Sequence, residues 1–315
     1  MKIVIPEKIS ARGLQVFQDA GFHVVELTPA SAASGELARA LADAEALVVR
    51  SAVKVTPELI AAAPQLRVIG RAGVGVDNVN VPAATARKIV VMNTPGGSSI
   101  AVAELALGLM LALARHIPRA DAGMHAGKWE KKALEGTELM GKTLGLVGCG
   151  RIALEVAKRA AVFGMRLVAF DPARPEQAAR QAGIALLSWE ALLAEADYLS
   201  LHLSLSENSR NLLNDAAFAR MKRGVRIVNC ARGEVVDEEA LLRALDSGQV
   251  AGAAVDVYRS EPPPPDAPLA RHERVIAIPH LGASTAEAQE RVGVAIAEQI
   301  RDYLLAGTLA NAVNA

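Results

Sequence analysis

The sequence predicts an α/β protein in which parallel sheets are covered by helices and the chain forms two domains. Short runs rich in Val, Ile and Leu alternate with Ala- and Leu-rich helical stretches from one end to the other. At 315 residues the chain exceeds one ordinary hydrophobic core, so two domains are expected. A glycine-bearing turn near the middle sits between a buried run and a helical one, an arrangement native to parallel sheets.

In the first third the strand candidates are KIVI (2–5), HVVEL (23–27), ALVVR (46–50), RVIGR (67–71) and KIVVMN (88–93). Helical segments separate them. Thr56 reads as an N-cap, with Pro57 at the first helical position, where its missing N–H is harmless. From Ser99 a long helix runs to His116, and Pro118 ends or kinks it. After the polar stretch HAGKWEKKALEGTELMGKT come LGLVG (144–148), RLVAF (166–170), YLSLHL (198–203), VRIVNC (225–230), GAAVDV (252–257) and RVIAIP (274–279). A last helix fills roughly 285–305, and EPPPPDAP (261–268) reads as a stiff loop.

Hydrophobic residues make up 51% of the chain, and the 34 basic residues balance 34 acidic ones. This is a soluble composition without the basic excess that nucleic acid or an anionic membrane would select. MKIVIPEKIS is too short in its apolar part for a signal peptide, and the longest apolar run, ALGLMLALA (106–114), stops at Arg115. The two cysteines, Cys149 and Cys230, each end an apolar run, and no Cys/His cluster has metal-ligand spacing. Free thiols in a reducing cytoplasm, and no metal, are the expectation.

The strongest local signal is TLGLVGCGRIALEVAKRAAVFGMRLVAFDP (143–172). Gly148 permits the tight turn, Gly150 lets a pyrophosphate approach the backbone, and Ala153 is small enough for close helix–strand packing. Free N–H groups at the helix start then face the phosphates. Asp171, ending the next strand, can accept from both ribose hydroxyls and repels a 2′-phosphate. The unit therefore reads as a Rossmann dinucleotide site for NAD, with Arg151, Ile152 and Pro172 in the same cradle. Arg174 close by leaves NADP tolerance open. GRAGVGVDNVN (70–80) has Asn78 where a third small residue belongs, and reads as a ligand-contacting loop rather than a second such site.

Arg232, Glu261 and His280 each follow a strand downstream of the cofactor turn. Alone, each has an ordinary explanation: a surface ion pair, a solvated loop acid, a structural histidine. In an open α/β sheet, however, ligands collect outside the carboxyl ends of the strands, where all three map. They suit hydride transfer between NAD and a 2-hydroxy acid. Arg232 would clamp the carboxylate with its fork, His280 would exchange the hydroxyl proton, and Glu261 would orient the imidazole and favour its charged form. His202 follows YLSL, where a cofactor contact and packing are both open. His23, His116, His125 and His272 are expected to face solvent, and Trp129 and Trp189 to pack in a core or interface.

With these residues in view, the chain resembles the D-isomer-specific 2-hydroxyacid dehydrogenase family over essentially its whole length. Carrying the likeness are VRSAVKVTPELI (49–60), IGRAGVGVDNVN (69–80), NTPGGSS (93–99), GKWEKKALEGTELMGKTLGLVGCGRI (127–152), VNCARGEVVDEEALLRAL (228–245), GAAVDVYRSEPP (252–263) and PHLGAST (279–285). The resemblance implies a Rossmann NAD-binding domain (99–284) inserted into a flavodoxin-like substrate-binding domain (1–98 and 285–315). It implies Arg232, Glu261 and His280 as the catalytic set. His202, Ser204, Cys230, Ala231, Asp256 and Gly282 would line the NAD cleft together with Arg232 and His280. Arg50, Ser51, Arg71, Gly73, Val74, Gly75 and Asn78 would face the substrate, joined by Arg232 and His280, with Arg50 on its phosphate.

Three segments lean towards the branch acting on a phosphorylated 2-hydroxy acid, 3-phospho-D-glycerate. The alternative is a reductase of glyoxylate, hydroxypyruvate or a similar acid. An NADH-sensing corepressor-like binding protein is a remote third reading. The resemblance further implies a homodimer through the cofactor domain, in which Lys131 reaches the neighbouring subunit's substrate. Lys131 stands where relatives often carry arginine, GGSS lacks a frequent asparagine, and His202-Leu-Ser204 lacks a frequent proline. The chain is expected to end, at ANAVNA, where the catalytic unit of longer relatives ends, without a regulatory C-terminal domain.

Overall fold

The computed structural model describes residues 1–28, 30, 35–173 and 176–315, with side chains at 176–178 excepted. Arg174, considered above for NADP tolerance, lies outside the described residues. Backbone packing divides the chain into two units, Met1–Ser98 with Ala283–Ala315, and Ser99–Gly282.

Among the described residues the first unit holds five parallel strands: β1 (Lys2–Ile5), β2 (His23–Glu26), β3 (Ala46–Val49), β4 (Val68–Arg71) and β5 (Val90–Met92). Their order is β2-β1-β3-β4-β5, the flavodoxin-like arrangement. All four residues of β3 are buried, which is why it reads as a continuous apolar run and not as an alternating one. Helix Pro57–Ala61 begins as expected, with the Thr56 hydroxyl accepting from Leu59 N–H and proline in the first turn. The long helix Ala286–Ala306 packs on Ala11–Asp19, where Gly13 and Gly293 allow the two backbones to meet.

The second unit holds β6 (Thr143–Val147), β7 (Arg166–Phe170), β8 (Ala185–Leu186), β9 (Tyr198–Leu201), β10 (Val225–Asn229), β11 (Val250–Val255) and β12 (Val275–Ala277). The order β8-β7-β6-β9-β10-β11-β12 is the doubly wound Rossmann pattern with one added edge strand. Its topological switch point lies between β6 and β9, so the turns after these two strands open a crevice. The two-residue edge strand β8 is too short to show as a pattern in sequence.

The helix Ser99–Arg115 is buried over most of its length and packs on Arg151–Val162. It stops at His116, whose φ of 53° is left-handed, and the chain bends by 65° into a second helix, Ile117–His125. Pro118 therefore does not make the kink: it sits in the first turn of the new helix, where proline is tolerated. Among the described residues no single helix is long and apolar enough to cross a membrane. Trp129 is 78% exposed, which rules out core packing for it, whereas Trp189 packs on Phe170 with ring centroids 5.4 Å apart. His272 also departs from expectation: its side chain is largely covered, and its Nε2 lies 3.3 Å from Asp246.

Candidate active site

In the second unit the turn after β6 has the geometry that a phosphate cradle requires. Gly148 has φ of 85°, and a Cβ there would lie 2.6 Å from the His202 carbonyl oxygen, so the position is closed to any side chain. Gly150 caps the helix Arg151–Val162, and a Cβ on it would enter open space. The helix start is thus free to take an anion, while buried Ala153 packs beneath it. Asp171, after β7, accepts the Cys149 N–H on one oxygen at 2.8 Å and the Ala173 N–H on the other at 2.9 Å. Each oxygen keeps a lone pair for a ribose hydroxyl. These residues fit NAD; Arg151, Ile152 and Pro172 adjoin them in the chain.

His202, after β9, places Nε2 2.8 Å from the Ser200 hydroxyl, and its Nδ1 is buried without a hydrogen-bond partner among the described residues. Burial pushes its pKa down to about 3, so it stays neutral and takes no proton at working pH. Ser204 lies exposed just beyond. Burial and the charge of Asp256 push the Cys230 thiol far up, which keeps it protonated and unreactive.

The loop after β10 carries Ala231 and Arg232. Asn229, almost fully buried at the strand end, braces it: its Oδ1 accepts Ala231 N–H at 3.0 Å and its Nδ2 donates to the Arg232 carbonyl at 3.0 Å. The Arg232 guanidinium donates to the Ala231 carbonyl at 2.7 Å. A Cβ on Gly233 would lie 2.0 Å from the Tyr258 carbonyl carbon, so this loop rests directly on the segment that leads to Glu261.

Glu261 accepts the Tyr258 N–H through Oε1 at 3.1 Å, and its Oε2 lies 2.7 Å from His280 Nδ1. The Tyr258 hydroxyl donates to the Ile278 carbonyl at 3.1 Å, tying the same segment to the chain just before His280. Burial resists ionisation of Glu261. The bonds from His280 and Tyr258 and the charges of His280 and Arg232 outweigh it and hold the carboxyl below its usual range. The Glu261 bond raises the His280 pKa, against burial and the Arg232 charge, with the Glu261 and Asp256 charges adding to the rise.

Asp256, 1% exposed, turns its carboxylate into the loop after His280, accepting Leu281 N–H at 2.5 Å and Gly282 N–H at 2.9 Å. Burial raises its pKa, with those two N–H groups opposing. Its side chain is committed to holding the His280 turn, where φ of 52° is left-handed. Sequence reasoning placed Asp256 and Gly282 only along the cofactor cleft; their mutual bond has no local signal. Asn229 and Tyr258 were missed, and the one hint was a polar residue closing a buried strand.

Of the expected substrate residues, Arg50, Ser51, Arg71, Gly73, Val74, Gly75 and Asn78 lie in the first unit, whereas Arg232, His280 and the exposed Lys131 lie in the second. Arg50 and Ser51 follow β3. The Asn78 amide donates to the carbonyls of Arg50 at 3.1 Å and Val53 at 2.8 Å, and Arg71 Nε donates to the Arg50 carbonyl at 3.2 Å. Gly73 and Val74 are held by their carbonyls, which accept from Thr94 N–H and the Asn93 amide, and Gly75 follows part-buried.

The model of the D-isomer specific 2-hydroxyacid dehydrogenase NAD-binding domain matches residues 107–282. The chain belongs to that family. It therefore carries an NAD-binding domain, the one whose turns are described above. Among its relatives, D-3-phosphoglycerate dehydrogenase of Rattus norvegicus is 50% identical over 314 residues, covering 100% of this chain and 58% of the relative. The chain thus spans less than two thirds of that protein. Hydroxypyruvate reductase of Thermotoga maritima is 49% identical over 278 residues, covering 88% of this chain and 90% of the relative. Among solved structures of the fold, the TT0316 protein of Thermus thermophilus is 35% identical with a TM-score of 0.90, covering 99% and 100% of the two chains.

Proposed function

We propose that this 2-hydroxyacid dehydrogenase oxidises 3-phospho-D-glycerate to 3-phosphohydroxypyruvate. The observation that carries the chemistry is the His280–Glu261 pair at 2.7 Å. An ionised carboxylate can only accept, so the imidazole proton sits on Nδ1 and Nε2 is left as the base. His280 Nε2 takes the proton of the substrate 2-hydroxyl, becoming imidazolium, and Glu261 stabilises that charge. Arg232 binds the substrate carboxylate through its planar fork and orients C2. NAD, which Gly148, Gly150 and Asp171 would hold, would supply the hydride acceptor for C2. In the reverse direction His280 returns the proton to the oxygen.

The phosphorylated substrate is supported by Arg50 in the first unit and by the likeness to phosphoglycerate dehydrogenases. The nearly equal identity to a hydroxypyruvate reductase, matched over most of its length, favours a second reading: reduction of an unphosphorylated 2-keto acid. Both share the trio and the cofactor. NADH absorbance with 3-phospho-D-glycerate, D-glycerate and D-lactate, and in reverse with glyoxylate and hydroxypyruvate, separates them. Turnover confined to unphosphorylated acids would remove the phosphoglycerate assignment.

The enzyme is further proposed to be a cytoplasmic homodimer. Ile117, Met124 and Trp129 are exposed apolar side chains within a short span of the second unit, and a second copy would cover them. Neither Cys149 nor Cys230 is in a disulfide, in keeping with a reducing compartment.

A further inference from the structure

Glu7 follows β1 at the carboxyl edge of the first unit's sheet and is 6% exposed. Its Oε2 accepts the N–H groups of Arg50 at 2.8 Å and Val53 at 3.2 Å. Its Oε1 accepts those of Ser51 at 3.1 Å and Ala52 at 2.8 Å. Successive backbone N–H groups converging in this way form a concave anion site, the kind that takes a phosphate or carboxylate from a ligand. Here a side chain of the protein fills it. The loop's carbonyls are engaged from the other side by Asn78 and Arg71. The Arg50 guanidinium itself donates to the carbonyl of Lys8, the residue after Glu7, at 3.2 Å.

We propose that Glu7 is a positioning residue for substrate recognition, an internal anion occupying the backbone cradle of residues 50–53. With those N–H groups consumed, the substrate phosphate is met on this loop by the Arg50 guanidinium and the Ser51 hydroxyl, not by backbone. The Asn78 amide serves the loop rather than the ligand. This rests on the reading of Arg50 as the phosphate contact.

Glu7→Gln keeps the size of the side chain but turns one acceptor into a donor facing N–H groups, so part of the cradle opens. The full chain, E7Q, R50A and the double variant would be compared by amide hydrogen exchange at 50–53, by KM and kcat for 3-phospho-D-glycerate, and by NADH affinity. The expected result is exchange at 50–53 faster by about tenfold or more in E7Q and a KM raised about tenfold. Turnover and NADH affinity stay within about twofold, and the double variant is no worse than R50A, because Glu7 acts through Arg50. Glu7→Asp, which keeps the charge, recovers most of the KM.

Unchanged exchange, an unchanged KM in E7Q, or additive losses would each overturn the proposal. If R50A raises KM and E7Q does not, only the role of Glu7 falls. If R50A leaves KM unchanged, the phosphate reading falls and the action of Glu7 through Arg50 falls with it, while exchange still reports whether the cradle is held. Should E7Q fail to fold, Asn78→Ala loosens the same loop through its carbonyls and is read by the same criteria.

Discussion

His280 Nδ1 and Glu261 Oε2 lie 2.7 Å apart across 19 residues of chain, and the bond fixes which imidazole nitrogen is free. Asp256 holds the following two N–H groups, so the ring is set both by its own partner and by its turn. Removal of this imidazole tests the proposed chemistry most directly.

His280→Asn is expected to bind NADH as the parent does and to lose turnover by about a hundredfold or more. Fluorescence titration with NADH and steady-state kinetics on the same preparation separate the two effects. Near-normal turnover would make His280 a structural residue.

The raised His280 pKa carries a sign. In the proposed mechanism oxidation needs the neutral His280 ring, so its rate is expected to rise with pH through that raised pKa, and reduction, which needs the imidazolium, to fall through it. Glu261→Gln removes the charge that raises the value and leaves Arg232 lowering it. The inflection in kcat/KM is therefore expected to move to lower pH in both directions. An unmoved profile would assign the titration to another group.

Gly148 and Gly150 should respond oppositely to alanine. Gly148→Ala places a methyl against the His202 carbonyl at positive φ and is expected to cost about 1–3 kcal/mol of stability. Gly150→Ala meets open space and is expected to change stability by no more than about 1 kcal/mol, yet to weaken NADH binding. Urea melts and NADH titration of both variants check the contrast.

Gly233→Ala would force the Arg232 loop away from the Tyr258–Arg259 backbone. A loss of about 1–3 kcal/mol or more in urea melts is expected, with a fall in turnover, because the same segment carries Glu261. Full retention of both would show that the two loops move independently.

Trp129→Glu is expected to convert the proposed dimer to a monomer in sedimentation, since it puts a charge on the apolar face. If Lys131 reaches the partner's substrate, KM for the phosphorylated acid rises as well.

The alternation of apolar runs and helices, the length, and the glycine turn with its acidic strand end were enough to read an α/β chain with a Rossmann NAD site. They are local patterns, written in adjacent residues, and a parallel sheet converts them into geometry by rule. That same rule put Arg232, Glu261 and His280 on one edge, because loops after successive strands share a side of the sheet. Among the described residues the strand bounds differ from the sequence reading by a few residues at most, and only the short edge strand β8 had no signal.

Tertiary structure alone decided what each polar side chain is for. Glu7 is a lone acid in a loop and becomes the anchor of residues 50–53 only because β1 and β3 are neighbours. Asp256 sits in an apolar run, and its commitment to Leu281 and Gly282 depends on the pairing of β11 with β12. The break at His116 and the exposure of Trp129 likewise follow from packing. Periodicity encodes which face of an element is buried, whereas a hydrogen bond between distant loops depends on which strands lie side by side. That order belongs to the folded sheet and to no stretch of the chain.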